Sequence, residues 1–132
     1  MTQTLLQNKT NQQTESEKLA LIIAEAADDR KAGDIVIIKV TDVTYITDYF
    51  VIVTGYSKVQ LRAISQSIAA KVETQLNRRP TRVEGQTDSN WVLQDYGDVI
   101  VHILTSQERE FYNLEAFWGH GQRIYYEPDT GA

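Results

Sequence analysis

Apolar positions along the chain switch between two spacings, one helical and one extended. Leu19, Ile22, Ile23 and Ala26 fall at i, i+3, i+4 and i+7, a single helical stripe. Ahead of it, Thr14-Glu15-Ser16-Glu17 has the form of a capping box, and Lys31 and Gly33 are stop signals behind it. Ile35 to Val40 is a β-branched run broken only by Lys39, which predicts a buried strand. A polar connection from Thr41 to Asp48 leads to a second strand, Tyr49 to Thr54. Gly55 then punctuates the chain and Ser57 has the chemistry of an N-cap. Leu61, Ile64, Ile68, Val72 and Leu76 mark a long amphipathic helix, ended by Arg78, Arg79 and Pro80.

Three short strands follow: Thr81 to Glu84, Trp91 to Asp95, and Val99 to Leu104. Tyr96-Gly97-Asp98 leaves room only for a tight turn between the last two. A final helix is predicted from Gln107 to Trp118. The order α-β-β-α-β-β-β-α mixes hairpins with crossovers. It predicts an α/β chain of the α+β kind, a mixed sheet of about five strands covered by helices. Residues 1–13 are rich in Gln, Asn and Thr and have little to bury. The expected organisation is therefore a disordered extension (1–14), one domain (15–118) and a loose C-terminal tail (119–132).

Composition agrees with one domain: 132 residues, 42% of them apolar. Cysteine is absent, which removes disulfides and thiolate metal sites. No apolar run approaches the roughly 20 residues that span a bilayer. Met1 to Thr14 carries one charge, Lys9, and no apolar segment of the secretory type, so the expected compartment is the cytoplasm. The net charge of −5 argues against a protein whose main task is gripping phosphate backbone. Lys58 to Arg82 holds six bases and one acid, whereas Glu84 to Trp118 holds seven acids and one base. That asymmetry points to a basic partner for the second region, or simply to two solvated faces.

Candidate chemistry is thin. His102 shares a strand face with Ile100 and Leu104 and reads as a structural histidine with one hydrogen bond. His120 sits between glycines without metal-ligand spacing around it. Asp95 and Asp98, and Asp42 and Asp48, form pairs that could hold magnesium, but aspartate beside a turn is ordinary turn chemistry. A strand followed by Gly55-Tyr56-Ser57 and a helix is the opening of a nucleotidyltransferase site. Such an enzyme needs an acid pair just downstream, and the next acid after Ser57 is Glu73. Neither nucleotide-binding glycine fingerprint is present. No catalytic residue, metal site or cofactor is therefore expected. Trp91, Tyr96, Phe111, Tyr112, Phe117 and Trp118 instead crowd the acidic region, the composition of an interaction hot spot. Phe111, Leu114 and Trp118 are expected to face the core.

Several separated stretches carry a resemblance. Trp91-Val92-Leu93-Gln94-Asp95-Tyr96-Gly97-Asp98-Val99-Ile100-Val101-His102, followed by Glu108-Arg109-Glu110-Phe111-Tyr112-Asn113-Leu114-Glu115 and Trp118, closely resembles the signature of the ribosomal silencing factor, or Iojap-like, family. Ile46-Thr47-Asp48-Tyr49-Phe50-Val51-Ile52-Val53-Thr54-Gly55 and Val83-Glu84-Gly85 fit its other characteristic segments. The resemblance runs from about Leu19 to Trp118, and Gln94 stands where the family often has another residue.

The resemblance implies a domain similar to the nucleotidyltransferase fold without its catalytic acids. It also implies binding to ribosomal protein L-fourteen of the large subunit, obstruction of small-subunit joining, and damped translation when nutrients or energy are short. A homodimer is implied too, with little or no direct nucleic-acid recognition and no membrane. The expected partner-binding residues are Trp91, Asp95, Tyr96, Asp98, Glu108, Arg109, Tyr112 and Glu115. The alternative is a degenerate nucleotidyltransferase-like enzyme acting on RNA or a small molecule, which requires carboxylates converging beside Ser57.

Overall fold

The run from Tyr49 to Gly55, strand β2, is buried at every position. A strand of this kind needs neighbours on both edges and a layer on both faces. The computed structural model describes residues 2–85, 89–118 and 120–126, with side chains from Glu15 onward apart from those of 117 and 125. Within them β1 (Gly33–Lys39), β2, β3 (Arg82–Glu84), β4 (Trp91–Asp95), β5 (Val99–Thr105) and β6 (Gln122–Tyr125) form one sheet in the order β3-β4-β5-β2-β1-β6. β2 and β5 pair in parallel, Tyr49 opposite Val99 through Gly55 opposite Thr105. All other pairings are antiparallel. The mixed sheet expected from the sequence is therefore present.

Side chains alternate across the sheet and divide the apolar residues into two clusters. Ile37, Tyr49, Val51, Val53, Val92, Val99, Val101 and Ile103 point to one face. There they meet α1 (Thr2–Asp29), through Leu19, Ile23, Ala26 and Ala27, and α2 (Lys58–Leu76), through Leu61, Ile64, Ile68 and Val72. Each fully buried Leu, Ile or Val in such a layer contributes roughly 1.5–3 kcal/mol of apolar transfer. Ser57 caps α2 as expected, its Oγ accepting from the Gln60 N–H at 3.1 Å, and Asn77 closes it in the left-handed conformation. Ile38, Val40, Phe50, Ile52, Ile100 and Leu104 point the other way, under Trp91, Leu93, Leu114 and Trp118. Among the described residues, the helices on that side are α3 (Ser106–Tyr112) and α4 (Leu114–Phe117).

Three expectations are corrected. The backbone of α1 is helical from Thr2, where an irregular extension through residue 14 and a start at the Thr14–Glu17 box were expected; no Gly or Pro occurs in 2–14 to stop it. The single helix Gln107–Trp118 is an elbow, α3 then α4, because Asn113 takes φ 45°, a conformation that asparagine tolerates and that halts the ladder. The tail after residue 118 is not loose throughout: β6 pairs with β1, Val36 opposite Tyr125 through Lys39 opposite Gln122. Its four-residue pattern, Gln-Arg-Ile-Tyr, was too short to read as a strand without its partner. Residues 127–132 lie outside the described residues. Among the described residues no helix is long and apolar enough to cross a membrane.

Gly121 lets β6 approach. A Cβ there would lie 2.5 Å from Ile38 Cγ2 and 2.9 Å from the Lys39 carbonyl oxygen. Gly121→Ala is therefore expected to lower stability by about 1–3 kcal/mol in urea unfolding, as overpacking does. A silent substitution would mean that β6 contributes nothing to the fold.

Candidate partner-binding surface

The thinly covered face of the sheet carries the side chains singled out above. Trp91 opens β4 on that face and is half-buried over the smaller core. Its indole Nε1–H donates to His102 Nδ1 at 3.1 Å, and its ring stands 4.8 Å from Tyr112 and 5.7 Å from His102. Tyr112 in turn contacts Phe111 edge-on at 5.0 Å, while Phe50 bridges His102 and Trp118 beneath. The result is a braced aromatic platform whose outer rim is exposed: Phe111 at 79% and Tyr112 at 50%. Phe111 was expected in the core. It faces solvent instead, since α3 buries none of its residues.

Trp91, read from sequence as a surface anchor, is thus half platform and half surface. His102 behaves as the structural histidine expected. Because Nδ1 accepts a hydrogen bond, the ring proton sits on Nε2. Burial pushes its pKa down to about 4 from the usual 6.5.

Arg109 and Glu115 were expected to face a partner, and they face each other. Arg109 Nε donates to Glu115 Oε1 at 2.6 Å and its Nη1 donates to Thr54 Oγ1 at 2.8 Å. The side chains are 10% and 22% exposed, so this pair clamps the elbow to the end of β2. Beside the clamp is a cleft of about 470 Å³, walled by Asp34, Thr54, Ser106, Arg109, Glu110 and Glu115 among others. Ser57 is not in its wall.

The remaining expected residues lie elsewhere. Asp95, Tyr96 and Asp98 form the β4–β5 turn, whereas Trp91 pairs with Leu104 at the other end of the ladder. Five antiparallel residues span roughly 17 Å, so no single compact surface holds both groups. Tyr96 is 3% exposed, under the helices, and its hydroxyl donates to Gln94 Oε1; burial pushes its pKa up to about 12. It cannot touch a partner. Asp98 receives hydrogen bonds from Arg78 (2.7 Å) and from the Ser16 hydroxyl (2.8 Å). Burial pushes its carboxyl up, but these two donors outweigh that and hold it below the usual range. Asp95 accepts from the Gly97 N–H, the turn chemistry anticipated for an aspartate next to glycine.

Charge pairing explains why the linear asymmetry misled. Lys71 bridges Glu25 and Asp29, Arg78 binds Asp98, Arg79 binds Glu73, and Arg82 reaches Glu84 and Asp95. Most of the basic block and half of the acidic block neutralise within the molecule. Glu108 and Glu110 beside the platform keep their charge unpaired among the described residues. Asp88 lies outside them. No trio of His, Cys, Asp or Glu among the described residues is placed to hold a metal.

The chain and its fold resemble known proteins. The sequence model described as "Ribosomal silencing factor during starvation" matches residues 13–131. The chain belongs to the ribosomal silencing factor family. It is 35% identical over 112 residues to the ribosomal silencing factor of Halalkalibacterium halodurans, spanning 85% of this chain and 95% of that one. It is 40% identical over 112 residues to the chloroplastic Iojap protein of Zea mays, covering 84% of this chain and about half (48%) of that longer one. A crystal structure of a Chromobacterium violaceum protein superposes with TM-score 0.72 at 31% identity, covering 89% of this chain and 94% of that chain.

The buried imidazole makes stability depend on pH in a defined window. Unfolded, His102 takes up a proton below about 6.5; folded, it does so only below about 4. Stability from this group is therefore lost as pH falls from 6.5 to 4, up to about 3 kcal/mol. Asp98 adds its own loss only at more acidic pH, since its folded pKa is depressed. Urea unfolding of wild type and His102→Gln at stepped pH should show the 6.5-to-4 decline in wild type and its removal in the variant. An unchanged decline would assign it to other groups.

Proposed function

We propose that this silencing factor acts in the cytoplasm as a translational repressor, docking on the large ribosomal subunit through ribosomal protein L-fourteen and blocking the small subunit by its bulk. The observation that carries the reading is the Trp91–Tyr112–Phe111 platform, with Glu108 and Glu110 beside it making no ion pair among the described residues. An aromatic centre with an acidic rim suits a basic ribosomal protein. Family membership supplies the ribosomal context. Occlusion needs an interface above roughly 1,000 Å² and a body in the path, not a reactive group. The alternative, a nucleotidyltransferase-like enzyme, required carboxylates at Ser57, whose hydroxyl is occupied in capping α2.

Phe111 is the cleaner probe of the platform, since Trp91 also supports the fold. Phe111→Ala is expected to weaken co-sedimentation with large subunits by about 2 kcal/mol, or some thirtyfold, without moving the urea midpoint. Glu108→Gln with Glu110→Gln should slow association at low salt and blunt its decline with added salt. Normal binding by both variants would remove this face from the interface.

Occlusion also fixes the stoichiometry. Light scattering of subunit association should show inhibition rising to completion near one protein per large subunit, without nucleotide hydrolysis. Preformed ribosomes should resist, because the joined small subunit covers the docking surface. Complete inhibition at far lower ratios would indicate turnover and sink the occlusion reading.

A further inference from the structure

His102 stands in the middle of the thinly covered face. It lies on β5 opposite Ile52 of β2 and Leu93 of β4, and it is 9% exposed. On the β2 side the Phe50 ring is 5.6 Å away, itself backed by Trp118 at 4.8 Å; on the β4 side is the Trp91 ring. Rings on both sides leave the imidazole little room to turn. Its Nδ1 is thereby held toward the indole, whose Nε1–H is a donor only and needs an unprotonated acceptor.

The backbone of Trp91 is fixed separately. Ser89 Oγ accepts from its N–H at 3.1 Å and donates to its carbonyl at 2.8 Å. Gly85, at φ 77°, passes so close to that carbonyl that a Cβ would collide with it. None of this chooses the orientation of the ring, because the second side-chain torsion of tryptophan is broad. An apolar floor is equally indifferent to which edge of the indole it meets. The bond from Nε1 to Nδ1, at 3.1 Å, is directional and makes that choice.

The choice is passed outward. Tyr112 lies 4.8 Å from the indole and Phe111 meets Tyr112 edge-on at 5.0 Å, while α3 itself buries none of its residues. We propose that His102 is a positioning residue for docking: its Nδ1 sets the Trp91 indole and, through Tyr112, the place of the exposed Phe111 ring. The proposal rests on the docking reading above for what the platform meets. His102, nearly covered, acts through Trp91.

The test exploits two side chains of nearly equal shape. Asn offers Oδ1 near the place of Nδ1, and Leu offers no acceptor. The full chain is isotope-labelled and compared by NMR as wild type, His102→Asn and His102→Leu. The Trp91 indole N–H signal, assigned by its loss in Trp91→Phe, should stay protected from solvent exchange in wild type and the Asn variant. In the Leu variant it should exchange freely. Overhauser contacts between the Trp91 and Tyr112 rings should divide the same way. Co-sedimentation with large subunits should be about fivefold weaker for the Leu variant than for the Asn variant, the size of one net hydrogen bond. A role in packing alone predicts the reverse, since Leu is the better core residue.

Equal indole protection in the two variants overturns the proposal, as does equal docking by both when wild type docks. Trp91→Phe removes the donor and leaves His102 in place, so it decides the matter even where His102→Leu melts early. Tyr112 should then lose its fixed contact with the ring at position 91, and a Tyr112 still held there overturns the proposal. Wild type that fails to co-sediment with large subunits overturns the docking reading instead, while the indole contrast still decides whether His102 positions the platform.

Discussion

The parallel pairing of β2 with β5 is the constraint on which the rest hangs. It aligns the two carboxyl ends, Gly55 beside Thr105, at one end of the sheet. From there the chain leaves in opposite directions, β2 into α2 on the heavily covered face and β5 into α3 on the other. In open sheets this reversal is where a crevice forms and ligands gather. Here the crevice is walled by the Arg109 clamp, and the exposed aromatic rings lie at its rim.

Unequal coverage of the two faces follows from helix length. α2 has 19 residues and α1 has 28, enough to roof one face with aliphatic side chains. The other face receives helices of 7 and 4 residues, which cannot shield six buried core residues alone. Aromatic rings complete that roof because each covers far more area than an aliphatic chain. The same rings, being amphipathic and only partly covered, leave an adhesive rim. On the docking reading proposed above, a half-finished core and a binding surface are one construction.

How much was legible in the chain divides along this line. Ile35 to Val40, Tyr49 to Thr54 and the Leu61–Leu76 stripe announced their elements because burial on one or two faces imposes a period on the residues themselves. Gln122 to Tyr125 did not, since an edge strand of four residues depends on a partner 83 to 89 positions away. Asn113 hid the elbow, because one left-handed residue leaves the apolar spacing intact. Of the residues expected to act together, Tyr112 and Glu108 fall one turn apart on α3, whereas Tyr96 lies beyond the far end of the β4–β5 ladder. Period-two alternation through Trp91-Val92-Leu93-Gln94-Asp95-Tyr96 would have put Trp91 and Tyr96 on opposite faces, and composition concealed that. Linear charge counts failed for a related reason: pairing partners such as Arg78 and Asp98 are brought together only by the fold.

The bracing of the platform bears on the docking proposed above. Trp91 leans on the β4–β5 ladder, its Nε1–H donating to His102 Nδ1, and Tyr112 packs on it, so the exposed Phe111 ring is carried by a supported stack. A ring held in place before contact loses little conformational freedom on binding, and more of its contact energy then appears as affinity.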